Sequence, residues 1–453
     1  MASFPQLVES SANATVSPRR QKKKKESKKE EKKRLKEERR ANKRKKKKDN
    51  IVSDLYIRQL ERLASRDPKI IRHLLDNDTW EQHACGNTML GSKCDFLCPS
   101  SPLFSGDLHE RAAQDLKTRG CTIIENNVDP QSKKQSFLWG TPNPKFYWGK
   151  KYTEMLLRVD ATMESLKSSG WPPVFVFLFD EPWLLIDRMF EIVTPILGKD
   201  CVFESSMYGW ALSRTAKQNV ESSDTIETNP GTNSDAEVGG NFPLPHRDNS
   251  FTEANFADGN PSHLSTWMCV NDVGLSNGCM HILPKDADQR FFADNDYWHE
   301  RVAYPTKGLN LHQKLPTRKI KPPSEQTMIN FPFDQAIPMP APRGSILLWQ
   351  PNCIHWGASC SPSSHLPPRK SLAMTFRCSI DKRPLSRFER KLLTRQDIRS
   401  LTIEERLVMI AESILMYAKW FPSFKAFDLK LLENEDIHTI NEALDEGLSL
   451  NDN

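Results

Sequence analysis

The chain has 453 residues, 38% of them hydrophobic, with 31 prolines and a formal net charge of +6. That length allows one large domain with appendages or two domains, and the low apolar fraction puts part of the chain in loops or tails around a smaller core. No apolar run is long enough to span a bilayer as a helix, no apolar segment near the N-terminus marks a secretory signal, and ten scattered cysteines point to reduced thiols in an intracellular, cytoplasmic or nuclear protein.

Residues 1–50 read as a disordered or partly helical basic tail. Arg19 to Lys48 holds 20 Lys and Arg against 5 Glu, a net of +15, so the rest of the chain carries −9. Such a block suits nuclear import or contact with nucleic acid or another anionic surface, or is a solvated tail with no partner. It interleaves no aromatic residues, which argues against base stacking. Residues 51–105 read as a helical and irregular extension, with Pro68 dividing the apolar pattern from Ile51 to Leu75 in two. Cys94 and Cys98 have zinc-compatible spacing, with His83 and Cys85 nearby, yet no knuckle joins them and free thiols serve equally well.

Leu108 to Lys117 fits an amphipathic helix, followed by a strand at Cys121 to Ile124. Met155 to Leu166 predicts a second helix. Pro173 to Phe179 (PVFVFLF) reads as a buried strand, Asp180 to Leu197 as a helix, and Val202 to Leu212 as a strand. Residues 213–240 are Ser-, Thr-, Asn- and Gly-rich and read as a disordered insertion, a substrate lid or a tolerated loop expansion. Leu264 to Val273 and Cys279 to Pro284 read as strands around an Asn277-Gly278 turn. Asp286 to Pro342 is a long Pro- and aromatic-rich connection. Ser345 to Trp349 and Arg369 to Arg377 read as further strands. Residues 381–453 read as a helical extension with a capping box at Thr402 and Glu405. These helices buttress the core or mediate dimerisation and carry no evident chemistry.

The chain's one His-x-Asp tripeptide is His246-Arg247-Asp248. On an extended segment its imidazole and carboxylate share a face, which supplies two-thirds of a two-histidine, one-carboxylate iron site. His355, just after the apolar run ending at Trp349, is the best candidate for the third ligand. His281, His299 and His312 read as core or surface residues.

The succession His-x-Asp, strand, Asn-Gly turn, strand, long Pro-rich segment, strand, His and then Arg resembles the phytanoyl-CoA dioxygenase family of Fe(II)/2-oxoglutarate oxygenases. The resemblance spans roughly residues 106–380. It implies a double-stranded β-helix, or jelly roll, with flanking helices, in which ligands from opposite sheets converge. By position, His246, Asp248 and His355 match the family's iron ligands and Arg369 its 2-oxoglutarate arginine, while Trp267 matches an aromatic lining the cosubstrate pocket. Ser371, two residues on, faces the same way as Arg369 and adds a hydroxyl donor. Arg377, on the same face of a regular strand, is the rival arginine. The resemblance further implies Fe(II), 2-oxoglutarate and O2 as cofactors, with succinate and CO2 released. The retained Asp248 implies hydroxylation rather than halogenation, and the substrate expected is a small or lipid-like molecule. A non-catalytic jelly-roll binding protein and a nucleic-acid-associated protein acting through residues 19–48 are the competing readings.

Overall fold

The computed structural model describes residues 30, 32–39, 57–75, 79–91, 103–104, 107–127, 137–138, 141–198, 200–214, 245–293, 331–381 and 391–418. The chain divides into two units, residues 1–54 with 434–453, and residues 55–433. Within the first, residues 32–39 are helical. Among the described residues no helix is long and apolar enough to cross a membrane.

The second unit runs in this order: α1 (57–64), α2 (Pro68–Leu75), α3 (Thr79–His83), β1 (Leu103–Phe104), α4 (Leu108–Arg119), β2 (Cys121–Asn126), β3 (Phe137–Leu138), β4 (Thr141–Pro142), β5 (Lys145–Tyr147), α5 (Lys150–Ser168), α6 (Asp180–Leu197) and β6 (Cys201–Ala211). It continues with α7 (Phe251–Ala254), β7 (His263–Cys269), β8 (Met280–Ile282), β9 (Ile337–Met339), β10 (Ile346–Trp349), β11 (His355–Gly357), β12 (Lys370–Cys378), β13 (Leu392–Leu393), α8 (Arg395–Arg399) and α9 (Ile403–Ala418).

The strand order defines the architecture. The large sheet runs β1-β5-β2-β10-β7-β12-β6-β13 and the small one β11-β8-β9, extended by an antiparallel bridge between His246 and His355. Followed from β6, the chain passes to the small sheet at His246, returns at β7, crosses again for β8 and β9, returns at β10, crosses at β11 and ends on the large sheet at β12. That alternation is a double-stranded β-helix, a jelly roll. Each strand of the large sheet divides its side chains between two cores, as a period of two requires. Leu264, Met268, Leu348, Leu372 and Phe376 face the helices. Trp267, Cys269, Leu347 and Trp349 face inward, against Met280, Ile282 and Met339 of the small sheet.

The sequence reading of Pro173 to Phe179 as a strand is corrected: Pro173–Leu178 is a 3-10 helix. Phe175 N–H donates to the Pro172 carbonyl at 3.0 Å and Phe179 N–H to Val176 at 3.2 Å. Pro173 has no N–H for a sheet ladder and a φ fixed near the helical value. The run is buried on every side, so its unbroken apolarity reflects a core helix. Strand β9 lies inside the expected irregular connection. Pro68 does divide two helices, standing first in α2, where its missing N–H costs nothing. The capping box forms as read: Glu405 N–H donates to Thr402 Oγ1 at 3.2 Å and Thr402 N–H to Glu405 at 3.0 Å. The described cysteines form no disulfide. Cys94 and Cys98, residues 215–240, His299, His312 and residues 419–453 lie outside the described residues.

Candidate metal centre and active-site cavity

His246 and His355 face each other across the small sheet. His246 N–H donates to the His355 carbonyl at 3.1 Å, and His355 N–H donates back at 2.9 Å. The reciprocal pair locks the two backbones in register and brings the rings to 4.3 Å between centroids. Asp248 N–H donates to the Pro351 carbonyl at 2.8 Å, which turns the carboxylate toward both rings. Its Oδ1 lies 3.4 Å from His246 Nε2 and 3.6 Å from His355 Nε2. One ligand atom from each residue falls within 4.8 Å of the others, and among the described residues this is the group that can hold a metal ion. The structure thus brings together the three residues that the sequence singled out.

Neighbours set the state of each donor. His355 Nδ1–H donates to the Cys353 carbonyl at 3.1 Å, so Nε2 keeps its lone pair on the cluster. Burial pushes the His355 imidazole down to about 4, which leaves it neutral at neutral pH. Burial also pushes the Asp248 carboxyl up, but the charge of His355, the hydrogen bond and charge of His246 and the Ser265 hydroxyl outweigh it. The carboxyl therefore lies well below its usual range. Ser265 Oγ donates to Asp248 Oδ2 at 2.7 Å, freeing Oδ1 for the histidines. Arg247 points away from the cluster and grips Asp288 with both Nη atoms, at 2.7 and 3.1 Å, while also donating to the Asn352 carbonyl. Sequence reasoning missed Ser265 and this clamp. Ser265 left a trace, a polar residue on the inward face of an apolar strand, two positions before Trp267. The Arg247–Asp288 pair left none.

The cluster opens into a cavity of about 220 Å³ that Arg369 and Trp267 also line. Asp248, 34% exposed, opens onto it. Arg369 is 2% exposed, with its guanidinium 5.4 Å from the Trp267 ring. Its Nη1 donates to the Gly278 carbonyl at 2.6 Å. Gly278 has φ +106°, and a Cβ there would fall 2.3 Å from Leu212, so glycine is needed for the approach. Arg369 Nε is buried without a hydrogen-bond partner, and so is Ser371 Oγ. Burial alone pushes the Arg369 guanidinium down to about 10, with no carboxylate to offset it. Arg377, the rival, is satisfied: Nε donates to Glu204 Oε1 at 2.6 Å, Nη2 lies 2.5 Å from the same oxygen, and Nη1 pairs with Asp381. Of the two arginines, Arg369 is therefore the one with donors to spare. His281 stands on β8, stacked on Trp356 at 5.2 Å, and is not part of the cluster.

Two imidazoles and one carboxylate around a single point, inside a jelly roll and leaving one side open, form the donor set of non-haem iron(II) oxygenases. Residues 172–364 match the family model described as phytanoyl-CoA dioxygenase. Over that stretch the chain is similar to this family of Fe(II)/2-oxoglutarate-dependent oxygenases. The matched span includes His246, Asp248, Trp267 and His355, and ends before Arg369. No curated protein matches the chain. Solved structures that resemble it include the non-heme monooxygenase ThoJ in its apo form (TM-score 0.36, 9% identity, 72% of this chain and 99% of that one). Others are SnoK, an alpha ketoglutarate dependent carbocyclase from nogalamycin biosynthesis (0.33, 12%, 65% and 100%), and AviO1 from Streptomyces viridochromogenes Tue57 (0.31, 10%, 61% and 98%). Iron, 2-oxoglutarate and O2 are the cofactors of the family, and the donors fit them: N2O ligation suits Fe(II), and the unpartnered Nε of Arg369, which lines the cavity, suits a carboxylate, whereas Ser371 is buried on the same strand and is not among the lining residues.

Proposed function

We propose that the protein is an Fe(II)- and 2-oxoglutarate-dependent oxygenase that hydroxylates a small or lipid-like molecule. The observation that carries this reading is the pairing, in one cavity, of the His246–Asp248–His355 cluster with a buried arginine that has no protein carboxylate to match. When bound, iron with 2-oxoglutarate and O2 oxidises a C–H bond while the cosubstrate becomes succinate and CO2.

The chain's residues have separable tasks. His246, Asp248 and His355 hold the metal by one side and leave the other open. Arg369 pairs its planar fork with the distal carboxylate of the cosubstrate, and Trp267 gives a flat apolar wall that excludes water. Ser265 fixes the Asp248 carboxylate, and the Cys353 carbonyl fixes the His355 tautomer. A carboxylate ligand at Asp248 leaves no vacancy for a halide, which favours hydroxylation. A binding-only jelly roll has no use for this orphan donor.

The test is anaerobic reconstitution with Fe(II) and 2-oxoglutarate, followed by a metabolite screen for succinate formation. Wild-type protein should retain iron and develop the metal-to-ligand charge-transfer band, and His355→Ala should abolish both band and turnover. Wild-type protein that retains no iron from excess Fe(II), or a fully active His355→Ala, would falsify the assignment.

A further inference from the structure

Helix α9, which the sequence left without a task, reaches the cavity. Met416 and Tyr417 at the end of α9 line it together with Trp210 of β6. The Tyr417 ring lies 4.5 Å from Tyr208 and 5.8 Å from Trp210, edge-on to the latter at 84°. Ala373 of β12 is in register with Tyr208 on one side and Trp267 on the other, so a small side chain separates the cosubstrate wall from this second aromatic wall.

The helix that presents Tyr417 is held firmly. Arg406 Nη1 pairs with Asp180 at 2.7 Å, both side chains fully buried. Ser413 Oγ donates to the Ser205 carbonyl of β6 at 3.1 Å. The wall is thus built before any ligand arrives, which lowers the cost of binding.

Its chemistry is selective. Among the described residues that line the cavity, the arginines are Arg247 and Arg369. Arg247 is matched by Asp288, and Arg369 is the cosubstrate's partner. Among the described lining residues, an anionic substrate would find no arginine or lysine left unmatched beyond Arg369, and a buried charge without such a partner is costly. Ser206 and Thr375 line the same space and offer hydroxyls to a neutral polar group.

We propose that Trp210, Met416 and Tyr417 form the substrate wall, that Tyr417 determines specificity, and that the substrate is an uncharged molecule with a flat or aliphatic apolar body rather than an anionic thioester or carboxylate. This rests on the proposed function, since it assigns Arg369 to the cosubstrate.

The test compares two probes of one shape, 2-naphthaleneethanol and 2-naphthylacetate. Each is titrated calorimetrically into full-length protein held anaerobically with saturating Fe(II) and 2-oxoglutarate, which keeps Arg369 occupied. The alcohol should bind at least about tenfold more tightly than the acid. Its affinity should fall about tenfold in Tyr417→Ala and in Trp210→Ala, the loss expected for an aromatic contact, and Tyr417→Phe should stay near wild type. An unchanged charge-transfer band in the variants shows that the fold and cosubstrate site persist. Acid binding as tight as the alcohol, wild-type affinity in both alanine variants, or no alcohol binding at millimolar concentration overturns the proposal. If 2-oxoglutarate itself does not bind, the proposed function falls, while the alcohol titration of metal-free wild type and variants still decides the wall.

Discussion

Replacing Arg369 by alanine should be felt by 2-oxoglutarate and not by iron. Arg369 is 2% exposed, donates to a neutral carbonyl at 2.6 Å and to the Met280 sulfur at 3.6 Å, and keeps a buried Nε without a partner. A cosubstrate carboxylate here gains a charge-assisted, geometrically fixed pair away from bulk water. Without Arg369 that carboxylate is desolvated and unmatched, at a cost of about 3–5 kcal/mol, or roughly 10²- to 10³-fold in affinity. Arg369→Lys should recover part of this, because an ammonium keeps the charge and loses the fork. Arg377 provides the contrast. Its removal breaks two buried ion pairs, to Glu204 and Asp381, which are 0% and 2% exposed at the side chain, and should destabilise the fold by about 3–5 kcal/mol with little effect on the titration. The assay follows the charge-transfer band as 2-oxoglutarate is added anaerobically, beside denaturant unfolding of each variant. An Arg369→Ala protein that titrates like wild type, with Arg377→Ala weakened at unchanged stability, would mean that the arginines have exchanged roles.

Ser265→Ala removes the hydroxyl that holds Asp248 Oδ2 at 2.7 Å, and should weaken Fe(II) binding about 10- to 100-fold with the melting temperature nearly unchanged, as metal-competition titration and thermal unfolding can show. His355 titrates near 4 when folded and near 6.5 when unfolded. The unfolded chain therefore takes up the proton first, and metal-free protein should lose stability as pH falls from about 6.5 to about 4; denaturant unfolding at pH 7 and pH 5 should show a smaller drop in His355→Asn. Deleting residues 1–50 removes the +15 block and should leave iron and 2-oxoglutarate binding intact while moving a tagged protein out of the nucleus. An unchanged distribution disposes of the import proposal, and loss of nucleic-acid binding by the truncated protein would instead favour a contact role for residues 19–48.

The jelly roll itself followed from the resemblance to a family, while its strands were legible as short apolar runs bounded by turn signals. The apolar runs around Leu264, Ile346 and Leu372 could be placed, and the Asn277-Gly278 turn marked where the chain reverses. His246 and Asp248 could be singled out because ligand types are few and a period of two puts both on one face, while Arg369 was singled out through the resemblance to a family. Pro173–Leu178 was not legible, because a helix buried on every side and a buried strand present the same uniform apolarity. Nor was Tyr417, whose place in the cavity wall depends on Arg406 meeting Asp180 across the fold, a contact that no local pattern encodes.

The two histidines owe their positions to a backbone bridge between the strand ends that carry them, and to an arginine clamp between His246 and Asp248. The site is therefore assembled by folding and does not wait for metal. An ion entering it spends none of its binding free energy on organising ligands, unlike one that must first assemble its own site. Discrimination among first-row divalent ions then rests on donor type and supply, and the stability order favours copper, nickel and zinc over iron at such a set. Purified aerobically, the protein should carry whichever of these the medium provides, and a low initial activity restored by chelation and Fe(II) would report what the cell had supplied rather than what the fold prefers.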